Sequence, residues 1–84
     1  MPYTYIIYSH SADRFYIGST ADDLQQRIRK HNSHHRGFTA RANDWGLVYC
    51  EKFESIQQAR SRERQIKAWK NRKRIEVLCG FSKP

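Results

Sequence analysis

Two groupings in this 84-residue chain put chemically capable side chains at informative spacings. The first is a carboxylate among apolar neighbours. Ile56, Ala59 and Ile66 fall at i, i+3 and i+10 of one helical stripe, and Glu63 takes its i+7 position. An acid there faces the core or its margin, where an unpaired charge is costly. One reading is a structural ion pair with a nearby Arg. The other is a metal ligand or catalytic carboxylate at the surface of a sheet, its burial offset by a divalent cation. A single carboxylate with several waters suits Mg²⁺. The second grouping is Arg27 and His31, one helical turn apart. An Arg beside a sheet can clamp a phosphate with its planar fork. A His can orient a water or accept a proton near neutral pH. The plainer alternative is two surface side chains of a basic helix. His31, His34 and His35 suggest zinc, but no second Cys or His pair completes four ligands.

The charge points to a polyanion. Sixteen Lys and Arg stand against eight Asp and Glu, for a net charge of +8, and the pI is near 9.9. Eight of the basic residues lie between Arg60 and Arg74, a stretch in which Glu63 is the only acid. Among them Arg60, Arg64, Lys67, Lys70, Arg72 and Lys73 are candidate phosphate contacts, because neutralising each phosphate releases counterions and adds affinity. A solvated helix surface is the bland alternative.

The elements that must carry these residues follow in order. Tyr3 to Ser9 is apolar on both parities, as a central strand covered on both faces requires. A polar connection, residues 10–13, leads to a second strand from Arg14 to Ser19, and the pair is expected as a hairpin. Thr20 and Asp23 form a weak capping pattern before a helix from about Ala21 to His34, with Leu24 and Ile28 inward. Residues 33–44 read as a long loop, and Gly46 to Phe53 as a third strand. Ser55 with Gln58 is a second capping box. No Gly or Pro intervenes from there to Leu78, which allows one long helix or two short ones. The tail from Gly80 is a stop. The fold class is therefore α+β, a small three-stranded antiparallel sheet flanked by helices, in the order β-β-α-β-α-α.

A chain of this length is expected to form one domain, residues 1–84, with a small core. Hydrophobic residues at 38% and aromatic residues at 13% argue against a disordered basic tail. No apolar run approaches a membrane span, and the start lacks the pattern of a secretory signal. Cys50 and Cys79 form no CxxC, and are read as reduced thiols of a cytoplasmic protein or as one disulfide.

Taken together, these residues resemble the GIY-YIG endonuclease family. Tyr16-Ile17-Gly18 is the second signature tripeptide as it stands. Tyr3-Thr4-Tyr5 stands at the first, with Tyr3 and Thr4 in place of its Gly and Ile and Tyr5 retained. Arg27 and His31, then Leu47-Val48-Tyr49, then the segment from Arg62 to Lys70 follow in order. The last segment is similar to small stand-alone bacterial members, themselves similar to the N-terminal nuclease domain of the excision-repair endonuclease. The resemblance runs from Tyr3 to about Leu78.

What it implies is hydrolysis of a DNA phosphodiester with one divalent metal, Mg²⁺ or Mn²⁺. By position, Glu63 binds the metal and Arg27 holds the scissile phosphate. Tyr5 and Tyr16 line the site, with Tyr5 favoured to take a proton from the attacking water and His31 to tune that tyrosine or the water. Gly18 lets backbone approach the phosphate. Asn71, eight residues after Glu63, is an additional candidate. Nearby positive charge is expected to make a tyrosine usable as a base. Strand alternation adds a geometric requirement. Tyr5 and Tyr16 share a face only if paired residue numbers sum to an odd value, which an even-numbered loop around Ser11 and Ala12 supplies, or else a bulge. DNA is the expected partner, read by structure rather than sequence, with a protein partner supplying specificity. No membrane role is expected. The alternatives are a non-catalytic basic nucleic-acid-binding module and a basic subunit docking on an acidic protein.

Overall fold

The computed structural model describes residues 1–33 and 37–80. His34, His35 and the tail beyond Gly80, which entered the zinc and stop readings, lie outside the described residues. The elements run β1 (Tyr3–Ser9), β2 (Arg14–Thr20), α1 (Leu24–His31), a short 3-10 helix (Phe38–Arg41), β3 (Gly46–Lys52), α2 (Ile56–Ala68) and α3 (Arg72–Leu78). The α+β class and the order β-β-α-β-α-α are as expected. The sheet is antiparallel in the order β2-β1-β3, so the strand that is apolar on both parities is the central one.

The hairpin register meets the odd-sum requirement. Tyr5 pairs with Gly18, Ile7 with Tyr16 and Ser9 with Arg14, around the four-residue connection 10–13. Tyr5, Ile7, Tyr16 and Gly18 therefore share one face, and Thr4, Ile6, Ile17 and Ser19 the other. Between β1 and β3 the register shifts after Ile6–Tyr49, so that Ile7 pairs with Leu47 and Val48 bulges.

Each face has its own core. On the first, buried Tyr5, Ile7 and Trp45 pack with Tyr16, Leu24 and Ile28, which makes α1 the cover of that side. On the second, buried Ile6, Ile17 and Ile66 pack with Trp69, Ile75 and Leu78 under α2 and α3. Thr4 donates to the Ala59 carbonyl at 2.6 Å, and the fully buried Ala59 lets α2 come that close to the sheet.

The caps explain the boundaries. The expected box at Ser55 forms in full: Ser55 accepts from the Gln58 amide at 3.2 Å, and Gln58 accepts from the Ser55 amide at 3.3 Å. At α1 the expectation is corrected. Thr20 is still paired with Tyr3 in the sheet, and its hydroxyl accepts from the Asp22 amide at 3.0 Å. Asp23 takes the cap instead, accepting from the Gln25 amide at 3.0 Å, and the helix starts at Leu24. The expected loop contains the 3-10 helix. The segment after Ser55 resolves into two helices. Lys70 adopts a left-handed φ of 47°, and Asn71 caps α3 by accepting from the Arg74 amide at 3.3 Å.

Candidate active site

The site is assembled along the outer strand β2, with α1 on one face of the sheet and α2 on the other. Tyr5 and Tyr16 come to one face through the odd register. From α1, His31 reaches between them. Its Nε2 lies 2.7 Å from Tyr5 Oη, and its ring centroid 4.9 Å from that of Tyr16. The other ring nitrogen, Nδ1, lies 2.9 Å from Thr39 Oγ1. Trp45 Nε1 donates to the Thr39 carbonyl at 2.9 Å, and Asn32 exchanges two hydrogen bonds with the Trp45 backbone. Tyr5, His31, Thr39 and Trp45 are all buried. A neutral imidazole has one donor and one acceptor. When Tyr5 donates to Nε2, Nδ1–H donates to Thr39, and the ring is fixed from both sides.

Arg27 stands one turn before His31, with its guanidinium beside the Tyr5 phenol. The Tyr5 contact holds Arg27 above its ordinary pKa, against its own partial burial. Its Nε is buried without a hydrogen-bond partner, and a buried donor left unpaired is costly. The Tyr5 phenol is itself raised above its ordinary value. Burial is the largest cause, and the hydrogen bond from Arg27 works against it. At Tyr5, desolvation outweighs the arginine. Tyr16, by contrast, is half-buried.

Glu63 comes from the opposite side. It rides on α2 over the second face, and meets the site around the edge of β2. Ser19, which points to α2 by alternation, donates to Glu63 Oε1 at 2.5 Å. Lys67 Nζ donates to Glu63 Oε2 at 2.6 Å and stands 5.8 Å from the Tyr16 ring centroid. The Glu63 side chain is 19% exposed, so it neither hides in the core nor points into bulk water. Its negative charge is felt at the Tyr5 phenol. The partner expected as an Arg is a Lys one turn on. Glu63 Oε2, held by Lys67, and the Ser19 hydroxyl are the oxygens through which this group could hold a cation. Among the described residues no cluster of three or more His, Cys, Asp or Glu stands ready for a metal.

A model of the GIY-YIG catalytic domain matches residues 1–76. The chain belongs to the GIY-YIG family. That family is one of endonucleases, and this GIY-YIG domain is accordingly a nuclease-family protein. No curated protein and no solved structure matches the chain.

Within the GIY-YIG frame, several candidates acquire different reasons. A Cβ on Gly18 would lie 2.6 Å from Tyr5 Oη, 2.7 Å from Tyr5 Cζ and 3.0 Å from Tyr16 Cε2. The glycine makes room for the Tyr5 phenol. Asn71 is the α3 cap described above. Arg72 is committed within the fold: it donates to Asp13 Oδ1 at 2.6 Å, to the Asp13 carbonyl at 3.1 Å and to Glu76 at 3.0 Å, and lies over the Phe15 ring. Arg60, Arg64, Lys67, Lys70 and Lys73 are exposed. Ser19 and Thr39 went unsignalled as contributors. Strand parity together with Glu63 points to Ser19; nothing local in the sequence points to Thr39. Cys50 and Cys79 are free, and among the described residues no helix is long and apolar enough to cross a membrane.

Proposed function

We propose that this domain is a divalent-metal-dependent DNA endonuclease, acting in DNA repair, recombination or processing in the cytoplasm. One observation carries the reading. Two tyrosines, a histidine and an arginine with an unpaired buried Nε share one face of the sheet, and a carboxylate meets them around the β2 edge. The donor set fits one Mg²⁺ or Mn²⁺: a partly exposed carboxylate, with water and phosphate oxygens completing the shell. When bound at Glu63, such a cation supplies charge neutralisation at the phosphate and the leaving oxygen.

The chain's own residues do the rest. Arg27 places its planar fork against a phosphate oxygen. Tyr16, half-buried and faced by Lys67, is better situated to meet the attacking water than the enclosed Tyr5. Tyr5 and Thr39 hold His31 in one orientation, and His31 in turn packs against Tyr16. The exposed cations Arg60, Arg64, Lys67, Lys70 and Lys73 grip the backbone of DNA without reading bases. Selectivity then comes from DNA structure and from a protein partner.

The test is nicking of plasmid, branched and damaged DNA with Mg²⁺ or Mn²⁺. Glu63→Gln is expected to lower nicking by about 10³-fold, on the scale of losing a transition-state contact, while DNA affinity at fixed salt is retained. Wild-type protein that binds but nicks none of these substrates would make the domain a non-catalytic nucleic-acid-binding module.

A further inference from the structure

We propose that Lys67 is the metal's placeholder, and that Glu63 exchanges this ammonium for a divalent cation as DNA arrives. The inference rests on the reading of Glu63 as the metal ligand. Lys67 lies four residues after Glu63, and on an ordinary helix surface such a pair is a weak, screened contact. This pair is placed differently. The Glu63 oxygen opposite the one held by Ser19 is the one Lys67 occupies, at 2.6 Å. From a helix on one face of the sheet, the ammonium passes the edge of β2 and comes to 5.8 Å from the Tyr16 ring on the other. It sits at the entrance of the site, on the oxygen that a cation would use.

The side chain is suited to leaving. Lys67 is 49% exposed and Glu63 19%, so the ammonium can swing into solvent on its flexible stem. It has three donors and no acceptor. Once off the carboxylate, its natural partner is a phosphate oxygen. Arg27, whose Nε is buried without a hydrogen-bond partner, is a second cation of the same site. Cation and DNA then favour each other. The cation frees Lys67 for phosphate, and phosphate draws Lys67 off the carboxylate. Such coupling is reciprocal in the two affinities. Without DNA, metal affinity is held down.

Mn²⁺ binding to the full chain, followed by loss of the free aqua-ion electron paramagnetic signal, tests this without any turnover. Lys67→Met, with its charge removed and its stem kept, is expected to bind Mn²⁺ about three- to tenfold more tightly than wild type in the absence of DNA. Lys67→Arg, which can grip the carboxylate with two donors, is expected to bind it more weakly. Lys70→Met is the control for net charge, with a change of roughly twofold or less. The second arm is fluorescence anisotropy on a cleavage-resistant phosphorothioate strand. Mn²⁺ is expected to tighten wild-type binding by about fivefold or more, and Lys67→Met to lose most of that gain. Lys67→Met binding Mn²⁺ no more tightly than Lys70→Met, or keeping the full gain on DNA, overturns the exchange while leaving Glu63 as the ligand. Mn²⁺ binding that is unchanged by Glu63→Gln overturns the metal reading and the exchange together.

Discussion

On the α2 side of the sheet, Ile6, Ile17 and Ile66 meet as aliphatic side chains, with Thr4 bonded to the helix backbone and Ser19 to Glu63 at the margin. On the α1 side Ile7 is buried beside Tyr5, His31, Thr39 and Trp45, and those four are joined through hydroxyls, ring nitrogens and one carbonyl. The first core is held by area removed from water, and tolerates similar shapes. The second is held by donor and acceptor matching, where each lost partner leaves a buried polar group exposed to cost. The candidate site uses both. Its phenols, imidazole and guanidinium come from the polar core, and its carboxylate is delivered by the aliphatic one. Chemistry and stability are therefore separable on one side of the sheet and fused on the other.

The contrast can be broken most forcefully at Ile66. Ile66→Ala empties a fully buried position, and is expected to cost about 2–5 kcal/mol in denaturant unfolding. Nicking per folded molecule should stay near wild type under conditions where the variant is folded. Arg27→Met is the converse. It is expected to lower nicking by about 10²–10³-fold with stability changed by about 1 kcal/mol or less, because removing the unpaired buried Nε offsets the lost contact with Tyr5. The guanidinium is thus the exception on the fused side, and a large stability loss in Arg27→Met would return it to the rule.

Gly18→Ala probes the fused side directly. With a Cβ at 2.6 Å from Tyr5 Oη, the phenol must move in a packed core, at an expected cost of about 1–3 kcal/mol. The His31 ring resonances in nitrogen-edited NMR should shift as the Tyr5 bond lengthens. The smallest effects are those of pH. The Ser9 hydroxyl and Ser11 amide hold Asp44 down to about 2, and Arg72 and the Tyr8 hydroxyl hold Asp13 to about 2. Both are lowered from 3.8, so their stabilisation is present above that value and is lost as pH falls from about 4 through 2. Asp44→Asn should flatten this acid limb in thermal melts. At the other end, Tyr5 is buried neutral with its pKa raised above 10.0, so stability should fall as pH rises beyond that value.

Alternation made much of this legible in the sequence. It gave β1 its central place, and it required the odd register that puts Tyr5 and Tyr16 together. The helical stripe broken by Glu63 located the carboxylate, and the i, i+4 spacing located Arg27 with His31. Local rules failed where two residues competed for one task. Thr20 lost the α1 cap to Asp23 because the sheet still held its backbone. Non-local partners were beyond reach. Thr39 meets His31 only because the 3-10 helix turns back under α1, and Gly18 is explained by a phenol thirteen positions earlier across a strand pair.

The perch of Glu63 on an outer helix turn bears on how such domains diverge. Tyr5 is a keystone, wedged over Gly18 and tied to His31, so a lineage that discards it risks the whole architecture. Glu63 is a guest by comparison, its carboxylate held by the Ser19 hydroxyl and the Lys67 ammonium at the margin of the α2 core. Silent paralogues should therefore arise by shedding the acid while their tyrosines persist, and an intact tyrosine pair is a poor badge of a working nuclease.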